Sequence, residues 1–293
     1  MYWFSKRYTK IGMIAPTMLL YLTYVIIPVL IAFYYSFTNF TGIGKPQFVG
    51  LQNFWTLFHD KIFYIALKNT VIVLTMTVLM VVPGSFFLAL LLDRNFKANK
   101  LAKALNFSPN IISPILVGLI WVFILDPKMG LINAALRGMG FDYFQPEWIG
   151  GQVLTPYAVA FVFTWQTIGY NATIFLAGLK MVPHELYEAS EIDGADKVQR
   201  LVYITLPMIK QTFVIIMLLV ITGCFKIFET VYQLTNGGPN HVSDLLVTYM
   251  YFSTFNSSRF GYGMSIAVVT FLLTAIFAVI YIKVTKEQIG RES

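Results

Sequence analysis

Polar side chains able to hold a solute are few in this chain, and they cluster in two apolar stretches. Trp165, Gln166, Tyr170 and Asn171 fall within 153–179, and Lys226 and Glu229 lie about the end of 208–228. Aromatic faces and amides bind polyhydroxylated solutes by stacking and hydrogen bonding. In lipid such groups are costly, and they normally face a bundle interior or an aqueous cavity. Gln166 and Tyr170, four apart, share a helix face, and Trp165 and Asn171 do so less closely. Packing and interface anchoring are the ordinary roles of Trp and Tyr in a membrane protein, so solute contact and packing both stand as readings. Lys226 and Glu229, three apart, are placed to pair with each other, as a structural ion pair or as part of a gate.

Bond-making chemistry has no comparable support. No G-x-x-x-x-G-K-[ST] run is present to cradle a phosphate. His59, His184 and His241 are scattered, no Ser/His/Asp set is suggested by spacing, and the single cysteine, Cys224, excludes an internal disulfide framework or a cysteine metal cluster. The reading is a chain without a metal or cofactor of its own.

The composition says what must position these groups. Hydrophobic residues make up 57% of the 293 and charged residues 12%, where soluble domains carry about 25%. The mean hydropathy is +0.68. Too little polar surface exists to cover a water-soluble globule, so lipid must cover the rest. Six stretches can span at about 20 apolar residues each: 11–37, 65–92, 105–125, 153–179, 208–228 and 264–284. The basic start resembles a signal n-region, but the apolar run after it is long and lacks a small-residue cleavage site, so it reads as a retained first span. With the N-terminus inside, 14 Lys and Arg fall in inner segments and 6 in outer ones, which places both termini in the cytoplasm. The net charge of +7 is thus topological rather than a nucleic-acid patch.

One polar island interrupts the apolar runs, Glu188–Pro207, and the same count puts it in the cytoplasm. Pro183 can open a helix there, because its missing N–H is one of the orphans of a helix start. Glu185, Glu188 and Glu191 follow, and acidic side chains suit the early turns of a helix. Gly194 can end the helix in the left-handed region, and Asp196 can cap the next one. Pro207 then stands where the fifth span begins. Ala189, Ser190 and Ala195 are small enough to let the short helix lie in a cleft of a partner protein. An ordinary amphipathic loop with good caps is the competing reading.

The residues Glu188, Ala189, Ser190, Gly194, Ile204, Leu206 and Pro207 resemble the EAA loop of ABC importer permeases, with Ser190 in place of the second Ala; Asp193 and Ala195 flank its glycine. Further segments are similar to the carbohydrate branch of that family. These are Phe48-Val49-Gly50-Leu51-Gln52-Asn53-Phe54, Asp126-Pro127-Lys128-Met129-Gly130-Leu131-Ile132-Asn133, the external Leu234-Thr235-Asn236-Gly237-Gly238-Pro239, and Phe260-Gly261-Tyr262-Gly263. The likeness is to the subunit type of the maltose and glycerol-phosphate permeases and covers nearly the whole chain.

That resemblance implies an all-α polytopic membrane protein with six transmembrane helices and the type I importer (MetI-like) permease fold. It implies an N-terminal helix and external loop at 1–64, a permease domain at 65–284 and a cytoplasmic tail at 285–293. The implied function is half of the pathway of a binding-protein-dependent sugar importer of the cell (inner) membrane, of oligosaccharide type. The implied partners are a second homologous permease, two copies of an ATPase docked on the EAA loop and carrying ATP and Mg, and an extracytoplasmic solute-binding protein. The alternatives are import of glycerol phosphate or another polar solute, or a stand-alone secondary transporter, which would need coupling groups within the spans. A membrane enzyme would need clustered catalytic groups at one depth.

Overall fold

A computed structural model describes residues 7–94, 96–151, 153–239 and 241–290. Lys6 and Arg291, two of the inner positive charges, lie outside the described residues. Among the described residues the regular structure is helical, apart from one isolated antiparallel bridge between Thr38 and Phe48. In chain order the helices are α1 (Arg7–Tyr21), α2 (Ile27–Ser36), α3 (Gln52–Phe58), α4 (Lys61–Asp93), α5 (Asn99–Ile111), α6 (Pro114–Leu125), α7 (Leu131–Gly138) and α8 (Thr155–Lys180). They continue with α9 (His184–Ile192), α10 (Lys197–Arg200), α11 (Leu206–Met208), α12 (Lys210–Cys224), α13 (Glu229–Thr235), α14 (Leu246–Tyr251) and α15 (Phe260–Gly290). Wide π turns at Leu22–Ile26, Leu201–Thr205 and Phe252–Asn256 join neighbouring helices.

Among the described residues three continuous helices are long and apolar enough to cross a membrane: Tyr8–Ser36, Lys61–Asp93 and Phe260–Thr285. Two bent pairs raise the number to five if each pair is one span: α5 with α6, bent by 97°, and Lys197–Met208 with α12, bent by 65°. The 26 residues of α8 give about 39 Å of rise, enough to cross, but Thr164, Gln166, Thr167, Tyr170, Asn171 and Thr173 dilute its apolar character. The expected span at 105–125, which the sequence interrupts with Pro109 and Pro114, is two helices. The cause is Pro114, which lacks an N–H and pushes its predecessor out of the helical region. Ile112 and Ser113 are both extended, each with ψ 134°.

Two compact units form, residues 1–63 with 249–271 and residues 64–248 with 272–293. In the first, the amide of Asn53 donates to the carbonyls of Ser36 and Thr38, both at 2.8 Å, clamping α3 onto the end of α2. Gly261 lies so close that a Cβ there would stand 1.9 Å from the Thr38 carbonyl oxygen. Asp60 accepts from the hydroxyls of Tyr249 and Tyr262, the latter at 2.5 Å, and from the Ile62 N–H at 2.8 Å. Burial works against ionisation of Asp60. The two hydroxyls and the N–H groups of Ile62 and Phe63 outweigh it and hold the carboxyl below the usual carboxylate range. The motifs F-x-G-L-x-N and F-G-Y-G are thus fastenings of this unit.

In the second unit the same device recurs. Asp126 accepts from the N–H groups of Met129 and Lys128, which hold its carboxyl below the usual range. Asn133 is fully buried, donates to the carbonyls of Pro127 and Pro146 at 2.9 and 3.1 Å, and accepts from the Trp148 indole at 2.8 Å.

Two outcomes follow for thermal unfolding in detergent. Gly261→Val forces a backbone contact apart and should lower stability by about 3 kcal/mol, the upper end of an overpacking cost. Asp60 has a lowered folded pKa, so its contribution is fully present above the unfolded value of about 3.9 and is lost as pH falls through the folded value. The Asp60→Asn variant should be less stable near neutral pH and lack that part of the acid dependence.

Candidate functional site

A cavity of about 190 Å³ lies among α5, α8 and α12, lined by Asn110, Phe163, Thr167, Tyr170, Asn171, Leu219, Val220 and Gly223. On α8 the wall follows the spacing 163, 167, 170, 171, one face of a helix. Asn171 is 3% exposed, and its amide N–H donates to the Thr167 carbonyl at 2.9 Å. Its Oδ1 is buried without a hydrogen-bond partner. An unmet buried acceptor costs about 1–3 kcal/mol, a cost the fold carries at a residue that lines the cavity. Tyr170 is part-exposed at the rim, tilted against Phe107 with ring centroids 6.4 Å apart.

Tyr170 and Asn171 thus line one cavity, whereas Trp165 and Gln166 are not in its wall. The Gln166 side chain is 6% exposed and donates to the Ile112 carbonyl at 3.1 Å, across the α5–α6 break. Trp165 packs edge-to-face on Trp121, centroids 5.5 Å apart. Asn110 and Thr167 escaped the sequence reading. The four-residue step from Phe163 to Thr167 and on to Asn171 would have found Thr167. Asn110, between Pro109 and Pro114, gave no such signal.

The expected pair between Lys226 and Glu229 is not formed; both side chains are exposed, and no ion pair joins them. The reason is local. Helix α12 ends at Cys224 and Glu229 opens α13, so three-residue spacing no longer brings the two side chains to one helix face.

Gly237 and Gly238, expected in an external loop, belong to a tight corner after α13. Asn236 and Gly237 are left-handed, at φ 49° and 74°, and the Gly238–Pro239 peptide is cis. Ser243 donates to the Gly238 carbonyl at 3.0 Å. Asn69 of α4 holds the corner by donating to the carbonyls of Val242 and Asp244. Asp244 is fully buried; burial pushes its carboxyl up, and hydrogen bonds from His241 and Thr248 offset this in part.

The polar island is a closed hairpin of short helices. Pro183 stands immediately before α9 and Asp193 after it. Gly194 has φ +75°, and the bonds Gly194 N–H to Glu191 O at 3.1 Å and Ala195 N–H to Ser190 O at 2.9 Å are the two that close a helix on a left-handed glycine. Asp196 accepts from the N–H groups of Val198 and Gln199 while Gln199 accepts from the Asp196 N–H, a reciprocal cap. Two ties fold the hairpin on itself: an Arg200–Glu191 ion pair, and the Tyr187 hydroxyl with Thr205 Oγ1 at 2.9 Å. Glu188, Ala189, Asp193, Gly194 and Pro207 are exposed, and Ala195, Ile204 and Leu206 are half-buried. Ser190, expected to face a partner, turns inward and donates to the Tyr187 carbonyl at 2.7 Å. The outward face carries Ile192, 87% exposed, and Tyr203, 77% exposed.

The cavity and the hairpin share the same helices. Helix α8 carries Thr167, Tyr170 and Asn171 and runs on into α9, and the chain returns through α10 and α11 to α12, which carries Leu219, Val220 and Gly223. Near the hairpin the two walls touch, and a Cβ on Gly178 would stand 2.4 Å from Thr212 Oγ1.

Comparison with known proteins places the chain as a whole. The family described as binding-protein-dependent transport system inner membrane component matches residues 82–285. The probable ABC transporter permease protein YurN of Bacillus subtilis (strain 168) is 33% identical over 271 residues, which cover 92% of this chain and 93% of that protein. The probable starch degradation products transport system permease protein AmyD of Thermoanaerobacterium thermosulfurigenes is 31% identical over 279 residues, covering 94% and 93%. Among solved structures, a chain of a bacterial ABC transporter involved in the import of the acidic polysaccharide alginate superposes with TM-score 0.81 at 21% identity, covering 94% of each chain.

The local caps set a further expectation. Asp196→Ala removes two acceptor bonds and should cost about 1 kcal/mol of stability, read as faster proteolytic nicking between 190 and 200 in membrane vesicles. Asp196→Asn, which keeps the acceptor, should restore resistance.

Proposed function

The chain belongs to the family of binding-protein-dependent transport system inner membrane components, and from that premise we propose that it forms half of the pathway of an ATP-driven importer of carbohydrates, oligosaccharides in particular. It is a multi-pass membrane permease subunit and not an enzyme. The observation that carries the reading is the continuity of the cavity walls with the outward-facing hairpin. A solute compartment and a rigid docking element lie at two ends of one helical hairpin.

Several further features support it. The cavity is lined by two asparagines, a tyrosine and a threonine among apolar residues, which suits a neutral polyhydroxylated solute and offers no cation to a phosphate. The hairpin exposes Glu188 and Ala189 beside Ile192 and Tyr203, an apolar and acidic face that in water asks for a protein partner. Relatives of 30% identity or more include a permease for starch degradation products.

In this proposal six spans cross with both termini in the cytoplasm, and α8 is the fourth. The permease domain is 65–284, preceded by an N-terminal region at 1–64 and followed by a tail at 285–293. A second homologous permease completes the pathway, two ATPase copies bind the hairpins and carry ATP and Mg, and a solute-binding protein delivers sugar from outside. The corner at Gly237, Gly238 and Pro239 belongs to the face that protein meets. Lys226 and Glu229 are exposed charges near the outer mouth, and Trp165 and Gln166 shape the wall from behind.

The test is a reconstituted complex in liposomes with its binding protein. Oligosaccharide should stimulate ATP hydrolysis, and Glu188→Lys or Gly194→Asp should abolish the stimulation while leaving membrane insertion intact. Asn171→Ala and Tyr170→Ala should reduce uptake about tenfold or more with the ATPase still bound. Normal stimulation in both hairpin variants, or full uptake by the chain purified alone, would overturn the proposal. Stimulation by glycerol phosphate and not by sugar would keep the transport class and replace the solute.

A further inference from the structure

We propose that the segment between the first two long helices is a lipid anchor, with its outer face seated among phospholipid headgroups. Both ends of the segment continue into helices long and apolar enough to cross a membrane, Tyr8–Ser36 and Lys61–Asp93. It therefore sits at a membrane boundary whichever solute the protein moves.

The segment is built as a fixed platform. Residues 37–49 close a hairpin through the Asn39 N–H to Gln47 carbonyl bond at 3.0 Å and the Val49 N–H to Phe37 carbonyl bond at 2.8 Å. Asn53 clamps α3 to the end of α2, and Asp60 ties its far end to Tyr249 and Tyr262. The inner side of α3 is sealed by Leu57, fully buried, and by Phe54 against Phe37, centroids 5.4 Å apart. A platform so well fastened nonetheless shows Phe48, Leu51, Trp55 and Phe58 outward, each more than half exposed.

Three observations choose lipid as the occupant. The first is continuity. The most apolar stretch of the first long helix has no buried residues, so its surface is lipid-facing, and Phe37 at its end stacks on Phe48 with centroids 6.5 Å apart. The aromatic face thus begins where the lipid-facing helix ends. The second is residue type, since Trp and Phe with an adjoining polar group suit the headgroup layer. Trp55 lies against the His59 ring at 4.5 Å, beside exposed Gln52 and Thr56. The third is charge. Of the three charged side chains between residues 37 and 61, Lys45 and Lys61 are exposed and Asp60 is turned onto the tyrosines. An outward face of aromatics and cations without an exposed carboxylate fits phosphate headgroups.

Electron paramagnetic resonance on the assembled complex tests this, in liposomes of phosphatidylethanolamine and phosphatidylglycerol with cysteine-free partner subunits. Cys224 is buried, so a nitroxide placed by Trp55→Cys or Leu51→Cys reports its own site. At both positions, collisions with oxygen should exceed those with a water-soluble nickel chelate several-fold, unchanged when the solute-binding protein is added. Two results overturn the proposal: chelate access at both positions equal to that of a water-exposed control site, or chelate access that is lost only when the binding protein is present, which would make the face a protein-docking surface. Leu51→Cys keeps the test standing if Trp55→Cys fails to assemble. The readout needs no transport, so its failure is distinct from failure of the transport reading.

Discussion

The constraint that the cavity and the hairpin share is the approach of α8 to α12 at Gly178 and Thr212. A Cβ at 178 has no room, so the walls of the cavity are held together just above the polar hairpin that joins them. The transport reading of this protein depends on that closeness. Splayed walls would leave Thr167, Tyr170 and Asn171 facing nothing, and the hairpin would hang from two independent stalks. Held together, the hairpin and the cavity are one body, and a push on the first reaches the second without a separate relay.

A second constraint explains four of the amide side chains. A backbone group freed by a bend and cut off from water must be satisfied from within. The α5–α6 break is served by Gln166, the α2–α3 corner by Asn53, the segment after α6 by Asn133 and the corner after α13 by Asn69. Four amides perform one task in four places, donating to carbonyls that a bend has left open. This accounts for polar residues in an apolar chain without assigning each to a solute. Asn171 stands apart because it lines the cavity.

Features settled by neighbours in the chain were legible in the sequence. Pro183, Gly194 and Asp196 announce a helix start, a left-handed stop and a cap, and the structure has all three where they were expected. The long apolar runs were equally plain, since length and composition suffice. What could not be read depends on distance or on an unsignalled helix end. Nothing near Gln166 reveals that it serves a carbonyl 54 positions away. Nothing in Gly-Cys-Phe-Lys-Ile-Phe-Glu marks the end of α12 clearly enough to forbid the pair between Lys226 and Glu229. The two prolines beside Asn110 warned of a break, but its size, 97°, depends on tertiary packing.

The account stands or falls on whether the hairpin and the cavity act as one body. The most direct measurement is uptake together with ATP hydrolysis in liposomes carrying Gly178→Leu in the assembled complex, a change that parts α8 from α12 and leaves both the hairpin and the cavity side chains in place. The account predicts that the ATPase still binds and hydrolyses ATP at its basal rate while solute uptake falls by more than tenfold. Uptake at the wild-type rate, with α8 and α12 forced apart, would contradict it.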